Sequence, residues 1–261
     1  MDYGDLRKEL EKHSFYHVIE VAPGIVTDGI VQFQNSQRPV IAALDRICPK
    51  GKRVLDIGCR DGLFCFLAEK LGASEVIGVD NDLSSGAVEV LIPHFNSQVQ
   101  MFECNVIDLV PSTFGMFDVV VFAGVLYHLR YPMFALKRIR DVLQPGGTLL
   151  IETAVFTGHD SLPLLFCPCG TESPYEPTSV TFFNVLGLTS TLRSMGIVVN
   201  SCHLLNSGNT RIDRATLVCT FDPTLCEKDL EKYWEQTHKN HSSGDPAHRM
   251  PKPTAKKKAT L

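Results

Sequence analysis

Residues 53–153 alternate short apolar runs with turns and amphipathic segments. Residues 117–122 are so apolar that both faces of a strand there must be covered, as in the centre of a parallel sheet. The spacing predicts five strands, at 53–57, 75–80, 99–106, 117–122 and 148–153, and three helices between them, at 63–71, 87–95 and 132–143. Repeated strand and helix units of this kind predict a doubly wound α/β sheet with right-handed crossovers.

The pattern continues beyond residue 180 with a helix at 183–195 and strands at 197–202 and 215–221. These two strands would complete a seven-stranded sheet. The proline-rich stretch 154–180 has no regular periodicity, and a loop of this length in a compact domain is typically functional or disordered. We therefore expect it to form an insertion over a pocket of a domain spanning residues 51–222.

The segments on either side of this domain follow different patterns. Residues 1–50 predict a helix at 6–13, a strand pair around Ala22-Pro23-Gly24 and a helix at 39–48, which together form an N-terminal cover at one end of the sheet. Residues 223–236 predict a C-terminal helix. Residues 237–261 are rich in Ser, Pro, Lys and His without periodic apolar positions, which predicts a basic disordered tail.

Composition narrows the class of protein. The chain has 261 residues, 44% of them hydrophobic, and no apolar run reaches the roughly 18 residues of a membrane span. Its first residues contain no apolar signal-peptide core, so we expect a cytoplasmic protein whose nine cysteines are thiols. The Cys167-Pro168-Cys169 pair has no second pair at zinc spacing, and no metal site is predicted.

The net charge of −4 conceals an asymmetry. Residues 237–261 carry six Lys or Arg and one acid, hence +5, so residues 1–236 carry −9. Clustered cations are the usual footprint of a nucleic-acid partner. The acidic body therefore favours a small-molecule partner and disfavours RNA.

The central chemical signal lies after the first strand of the domain. Gly58 allows a sharp turn at the carboxyl end of that strand, where open α/β sheets bind ligands, and Gly62 allows close approach at the following helix. Asp80 ends the next strand about 20 residues later, where a carboxylate accepts hydrogen bonds from ribose hydroxyls. Arg60 stands where a dinucleotide loop requires glycine, which disfavours a nicotinamide cofactor.

The turn Asp56-x-Gly58-x-x-x-Gly62, the acid Asp80 and the later Gln144-Pro145-Gly146-Gly147 resemble class I S-adenosylmethionine-dependent methyltransferases. The resemblance implies a Rossmann-like, seven-stranded, mostly parallel sheet with helices on both faces and S-adenosyl-L-methionine as cofactor. It also implies a set of cofactor-binding residues: Asp56, Gly58, Arg60 and Gly62 at the methionine end, Asp80 and Asn81 at the ribose, Asn105 and Val106 at the adenine, and Ala123 and Gly124 along the methionine.

A narrower resemblance lies in the run Gly124-Val125-Leu126-Tyr127-His128 and in Leu150-Ile151-Glu152-Thr153 and Arg214-Ala215. These segments are similar to the group of tRNA wobble-uridine methyltransferases and carboxymethyltransferases. The resemblance implies that Tyr127 and His128 face the methyl group or the acceptor and that Arg214 meets a carboxylate. The chain lacks that group's long N-terminal extension and the Lys and Trp that grip a carboxymethylated cofactor, so we expect methyl transfer.

The expected chemistry requires an acceptor aligned with the methyl group and relieved of its proton. His128 is the first candidate for the general base, since an imidazole titrates near neutral pH, and Glu152 is the second. Tyr127 would orient the acceptor. Four residues are candidates for substrate binding: Tyr16 and His17 as a lid, and Arg211 and Arg214 as cations for an anionic group.

Three hypotheses for function follow. The first is a methyltransferase acting on a polar small molecule, at oxygen. The second is a tRNA wobble-uridine modifying methyltransferase. The third is a methyltransferase-like module that binds without catalysis. For each site residue a structural role remains the alternative, such as capping for Asp56 and Asp80 or a packed aromatic for Tyr127.

Overall fold

The computed structural model describes residues 3–209 and 211–226. Its centre is a seven-stranded sheet in the order β10-β11-β7-β6-β3-β4-β5. The seven strands are β3 (Arg53–Ile57), β4 (Glu75–Asp80), β5 (Gln100–Glu103), β6 (Phe117–Ala123), β7 (Leu143–Phe156), β10 (Met195–Leu204) and β11 (Ile212–Cys226). β11 is antiparallel to both of its neighbours, and the other six strands run parallel to one another. The predicted α/β, mostly parallel sheet is confirmed.

Helices cover both faces of the sheet. The α-helices are α1 (Tyr3–Leu10), α2 (Gln34–Ile47), α3 (Leu63–Lys70), α4 (Ile92–Phe95), α5 (Pro111–Phe114), α6 (Pro132–Asp141) and α7 (Val185–Ser194). α6 and α7 pack on one face, around Phe117 and Phe122, and α2 and α3 pack on the other. Apolar side chains on both faces of β6 are buried, and packing on both sides therefore fixes the position of its carboxyl end, where ligands bind in such sheets.

The N-terminal residues pack on the sheet domain through α1, α2 and the antiparallel pair β1 (Glu20–Ala22) and β2 (Ile25–Val26), and we call this part the N-terminal cover. Leu6, Phe15 and Ile25 share a small core with Leu91 of the central domain. Tyr16 is not in the strand pair, where the pattern placed it, but in the loop before β1, and the same is true of His17. A loop position lets both side chains turn towards the carboxyl ends of the central strands.

Most predicted boundaries differ from the structure by some residues, and three of the differences change how an element begins or ends. The fifth strand was predicted to begin at residue 148, but β7 begins at Leu143 and runs through Pro145-Gly146-Gly147, since Leu143 already pairs with Phe117 of β6. The third strand is shorter than predicted, because after Glu103 the chain turns into a short 3-10 helix at Val106–Asp108. The predicted C-terminal helix is wrong for residues 223–226, which extend β11; the rest of it and the predicted tail lie outside the described residues.

The stretch predicted as an insertion, 154–180, begins with the last residues of β7 and contains β8 (Leu165–Phe166), which forms a small antiparallel pair with β9 (Phe182–Phe183) just beyond the stretch. The backbone N–H groups of Val180 and Thr181 donate to the carbonyl oxygen of Tyr127, which ties the end of this stretch to the segment after β6. In the part of the chain that the structure describes, no helix has both the length and the apolar character needed to cross a membrane.

Candidate active site

A cavity of about 600 Å³ opens at the carboxyl ends of β3, β4 and β6. This volume lies within the usual range for cofactor sites. Many of the residues predicted to bind a cofactor line it: Gly58, Arg60, Asp80, Asn81, Asn105, Val106, Ala123 and Gly124. Tyr16, His17, His128 and Thr178 line the same cavity from other segments. The fold therefore brings together residues that lie far apart along the chain.

The turn after β3 approaches the cavity with bare backbone. Gly58 has a φ of +80°, and a Cβ atom there would lie 2.2 Å from the Cγ2 atom of Val125. Two residues later, Arg60 has a φ of +46°, and its backbone N–H donates to Oδ2 of Asp80 at 2.8 Å. The turn is thus held in a left-handed conformation by the carboxylate at the end of the next strand.

Asp80, at the carboxyl end of β4, holds the turn after β3 in place through hydrogen bonds. Its Oδ1 accepts the backbone N–H of Asp82 at 2.8 Å, while Oδ2 holds Arg60. Each carboxylate oxygen still has a lone pair for a ribose hydroxyl. Burial raises the pKa of Asp80 above its ordinary value, although the two backbone hydrogen bonds act in the opposite direction. The Arg60 guanidinium pairs with the Asp82 carboxylate, so its charge at the cavity is partly neutralised.

Two predicted cofactor residues lie beneath the cavity and do not line it. Asp56 is buried, accepts a hydrogen bond from the Cys65 thiol at 3.2 Å, and has its pKa raised by burial to about 7. Gly62 faces the core, where an added Cβ atom would lie 2.2 Å from Cε of Met101. Neither residue is therefore placed in direct contact with a ligand. Both shape the turn from below.

The predicted adenine end has a local reason for its geometry. Asn105 begins the short helix after β5, and its Oδ1 accepts the backbone N–H of Ile107 at 3.2 Å. The carbonyl half of this side chain is therefore used as a helix cap, and the NH₂ group is the half that can donate to a ring nitrogen. Val106 and Cys104 complete this end of the cavity.

A second cavity, of about 30 Å³, adjoins the first. The two share Tyr16, His17, Ala123 and Gly124, and the smaller one continues to Ser36, Gln37, Val40, Phe64, Glu152 and Arg214. Gly124 has a φ of +74° with open space around it, so at this residue the shared lining of the two cavities is backbone. A space of this size holds about one small group, such as a hydroxyl or a water molecule.

Glu152 and Arg214 form a buried ion pair at the end of the small cavity. Nε of Arg214 donates to Oε1 at 2.7 Å and Nη2 donates to Oε2 at 2.6 Å, a two-point contact. Nη1 donates to the hydroxyls of Tyr127 at 3.1 Å and of Tyr175 at 2.9 Å, and the guanidinium stacks on the Tyr127 ring. Both oxygens of Glu152, the second candidate base, are thus paired with the Arg214 cation. Tyr127 is buried and touches Arg214, not the main cavity.

His128 lines the main cavity, but both of its ring nitrogens lie beside oxygen atoms. Nδ1 is 3.3 Å from the carbonyl oxygen of Thr178, and Nε2 is 3.5 Å from Oε1 of Glu176. Sequence reasoning missed three residues that contact His128 or Arg214, namely Tyr175, Glu176 and Thr178. The only sequence signal for them was the irregular, proline-rich stretch 154–180 that contains them. Arg211 is exposed and lines neither cavity, so it is not placed with the other predicted substrate residues.

Asp61, which sequence reasoning also missed, connects the N-terminal cover to the turn after β3. Its Oδ2 accepts the backbone N–H groups of Tyr16 and His17 at 2.7 Å each and lies 3.1 Å from Nδ1 of His17. Burial acts to raise the pKa of Asp61, but the hydrogen bonds from His17 outweigh it, and the pKa lies below its ordinary value. His17 and Asp61 are 44 positions apart, and nothing in the sequence pattern indicates that they are in contact.

We expect Asp61→Asn to lower the free energy of unfolding by about 2 kcal/mol at pH 7, since a charged acceptor of three hydrogen bonds is lost. A carboxylate with a lowered pKa stabilises the fold above its unfolded-state pKa, and this contribution is lost as the pH falls through the folded-state pKa. The difference between wild type and variant should therefore shrink progressively below about pH 4. Denaturant unfolding at several pH values measures it; an equal difference at pH 7 and at low pH would contradict the assignment.

The exposed Cys167 and Cys169 do not join a metal cluster: within residues 3–209 and 211–226, no group of three His, Cys, Asp or Glu side chains is arranged to hold a metal ion.

The chain matches the family model of a methyltransferase domain over residues 33–198. A protein of Saccharophagus degradans named tRNA U34 carboxymethyltransferase is 32% identical over 201 residues, which cover 69% of this chain and 60% of that protein. The protein of that name from Azotobacter vinelandii is 30% identical over 192 residues, covering 70% and 59%. The chain thus spans about three fifths of the length of these relatives.

Solved structures share the fold. The N-terminal domain of EvdMO1, crystallised with S-adenosylhomocysteine, superposes with a TM-score of 0.66 at 19% identity, over 85% of this chain and 98% of that one. The 1,6-didemethyltoxoflavin-N1-methyltransferase of Burkholderia thailandensis, with bound 1,6-didemethyltoxoflavin and S-adenosylhomocysteine, gives a TM-score of 0.57 at 20% identity, over 72% of this chain and 78% of that one. At these identities the similarity concerns the fold alone.

Proposed function

This chain belongs to the S-adenosylmethionine-dependent methyltransferase family, and from that premise we propose that it methylates the wobble uridine of tRNA. The observation that carries the proposal is the similarity, over two thirds of the chain, to relatives named tRNA U34 carboxymethyltransferase. It favours the tRNA alternative over the small-molecule acceptor that the charge of the body led us to expect.

The residues around the large cavity fit the cofactor. Asp80 offers lone pairs to ribose hydroxyls, Asn105 offers an amide to the adenine, and the bare backbone at Gly58 and Gly124 permits close approach. When bound, S-adenosylmethionine supplies an electrophilic methyl group on a positively charged sulfur. The chain then has to bind and orient the acceptor, exclude water and remove a proton.

The state of Arg214 supports methyl transfer rather than carboxymethyl transfer. Its guanidinium is the cation that lines the small cavity, and Glu152 already neutralises it through two hydrogen bonds. A carboxylate brought into this space would meet the negative charge of Glu152 as well as the cation. The pair therefore suits an uncharged group, such as a hydroxyl awaiting a methyl group.

Helix α2 provides a route for an RNA backbone beside the small cavity. Ser36 and Gln37 line that cavity, whereas Arg38 and Arg46 line a groove of about 440 Å³ between α2 and the edge formed by β10 and β11. Neither arginine pairs with any residue that the structure describes. His203 lies in the same groove, which gives an otherwise acidic body a local surface for phosphate groups.

We expect the double substitution Arg38→Ala and Arg46→Ala to weaken tRNA binding about tenfold or more and to reduce the slope of log Kd against log salt by about two, because two phosphate contacts are removed. The matched control is Lys70→Ala with Arg193→Ala, which removes two exposed cations outside the groove. Filter binding across a salt series measures both. Equal slopes for the two double variants would contradict a phosphate-binding groove.

The small-molecule acceptor remains the second candidate, since the −9 charge of residues 1–236 opposes a polyanion. Incubation with S-adenosylmethionine carrying a labelled methyl group, together with bulk tRNA from cells that lack the chain, separates the two. The proposal predicts label that ribonuclease releases as a methylated uridine. Label that enters only a low-molecular-weight fraction of a cell extract would replace tRNA with a small acceptor.

A further inference from the structure

His17 is held in one orientation by Asp61. Nδ1 of the ring lies 3.1 Å from Oδ2 of Asp61, and the backbone N–H groups of Tyr16 and His17 fix the same oxygen at 2.7 Å. Asp61 is 0% exposed and His17 is 5% exposed. A buried carboxylate held by three donors cannot turn away from the imidazole, so the ring has one stable position.

This pairing decides which nitrogen carries the proton. The hydrogen bonds from His17 keep Asp61 ionised despite its burial, and an ionised carboxylate accepts a proton-bearing Nδ1. In the neutral form of the ring, Nε2 then carries the lone pair. Among the residues that the structure describes, Nε2 has no hydrogen-bond partner. The arrangement is that of an imidazole base oriented by a buried acid.

His17 stands at the boundary between the two cavities. It lines the large cavity, where we place the cofactor, and the small one, where Glu152 and Arg214 lie. The rings of Tyr16 and Phe64 pack edge-on against it, with centroids at 5.0 Å and 6.1 Å. The His17 ring therefore packs between two aromatic rings and borders both cavities near Gly124.

The other titratable groups near this point are already engaged. Both oxygens of Glu152 are bound by Arg214. Both nitrogens of His128 lie beside oxygen acceptors. Burial raises the pKa of Tyr16 to about 12, so its phenol keeps its proton at neutral pH.

We propose that His17, oriented by Asp61, is the general base that takes the proton of the acceptor during methyl transfer. The inference rests on the proposed function. The acceptor oxygen forms a bond to the methyl carbon while the bond from that carbon to sulfur breaks, and its electron pair stays on sulfur. The acceptor proton passes to Nε2 of His17. Asp61 stabilises the resulting imidazolium and is thus a positioning residue.

The first test does not depend on activity. Nitrogen-15 chemical shifts of the histidine rings in the full chain report the tautomer of His17. We expect protonated Nδ1 and unprotonated Nε2 in wild type, and loss of that preference in Asp61→Asn. Protonation at Nε2 in the wild-type neutral ring would overturn the proposal, whatever the acceptor is.

The second test is kinetic. His17→Gln should lower kcat at least about a hundredfold while the affinity for S-adenosylhomocysteine stays within twofold. Added imidazole should restore part of the rate in His17→Gly, which a purely structural loss would not allow. The matched control is His94→Gln, whose ring contacts the carbonyl oxygen of Val21 in the N-terminal cover and lines neither cavity.

The outcomes separate the two proposals. If His17→Gln methylates tRNA at the wild-type rate, the base assignment is overturned and the proposed function stands. If wild type fails to methylate tRNA but methylates a small acceptor, the proposed function fails, and the same variants then test the base with that acceptor.

Discussion

Replacing Asp80 with alanine is expected to lower the affinity for S-adenosylhomocysteine at least about a hundredfold. The carboxylate accepts the backbone N–H groups of Arg60 and Asp82, each at 2.8 Å, so its removal releases the turn after β3. It also removes the acceptor for the ribose hydroxyls. Hydrogen bonds to a charged group contribute about 1.5–3 kcal/mol each, and the loss of two therefore exceeds the 2.8 kcal/mol that a hundredfold change requires.

Isothermal calorimetry measures this change, with two controls. Asp80→Asn keeps one acceptor oxygen and should lose less affinity than the alanine variant. Asp108→Asn removes a negative charge at an exposed position that does not line the cavity and should bind as wild type does. If the Asp80→Ala variant binds S-adenosylhomocysteine with an affinity within threefold of wild type, the Asp80 carboxylate at the end of β4 does not hold the cofactor.

Replacing Glu152 with alanine is expected to lower the free energy of unfolding by about 3–5 kcal/mol, the usual result of breaking one side of a buried ion pair. The Arg214 guanidinium would be left in the interior with only the hydroxyls of Tyr127 and Tyr175. Both partner side chains are largely buried in the folded chain. The cost therefore comes mostly from the uncompensated charge.

Urea unfolding of three variants tests this explanation. Glu152→Gln keeps hydrogen-bond acceptors and should lose less stability than Glu152→Ala. The double variant Glu152→Ala with Arg214→Met removes both charges and should be more stable than the single alanine variant, because no buried charge is left alone. A double variant less stable than Glu152→Ala would mean that the arginine contributes through packing rather than through its pairing.

Much of the fold follows from local hydrophobic pattern. The predicted bounds of β3 and β4 coincide with the structure, because Val54, Leu55, Val76 and Ile77 are buried on both faces and turn residues follow directly. β7 shows the limit of this reasoning. Its first residues were assigned to a turn because of Pro145-Gly146-Gly147, but pairing of Leu143 with Phe117 extends the strand backwards. Tertiary contact outweighed the local turn signal.

The residues that line the large cavity were selected from strand ends together with the family resemblance. Gly58 follows the first strand of the domain and Asp80 ends the second, whereas Asn105 and Gly124 were implied by the resemblance; the structure places all four at one cavity. Asp56, which the resemblance also assigned to the cofactor, does not line the cavity. Its side chain points to Cys65 in the core.

The acceptor half depends on contacts between distant segments. Asp61 meets His17 across 44 positions, and Tyr175 meets Arg214 across 39. Sequence reasoning selected Tyr16 and His17 as lid residues but assigned the base to His128, because the oriented imidazole is defined by its partner. The ion pair between Glu152 and Arg214 likewise forms only in the folded chain. Such pairs determine which side chains are available to accept a proton from a substrate.

A crystal structure of the chain with S-adenosylhomocysteine tests the account most directly. We predict the ribose hydroxyls within hydrogen-bonding distance of Asp80, the adenine beside Asn105, and the sulfur next to Gly124, with Nε2 of His17 facing the space in front of it. Density for the ligand outside this cavity, or a sulfur atom turned away from the space shared by His17 and Gly124, would contradict the assignment of the site and of the base.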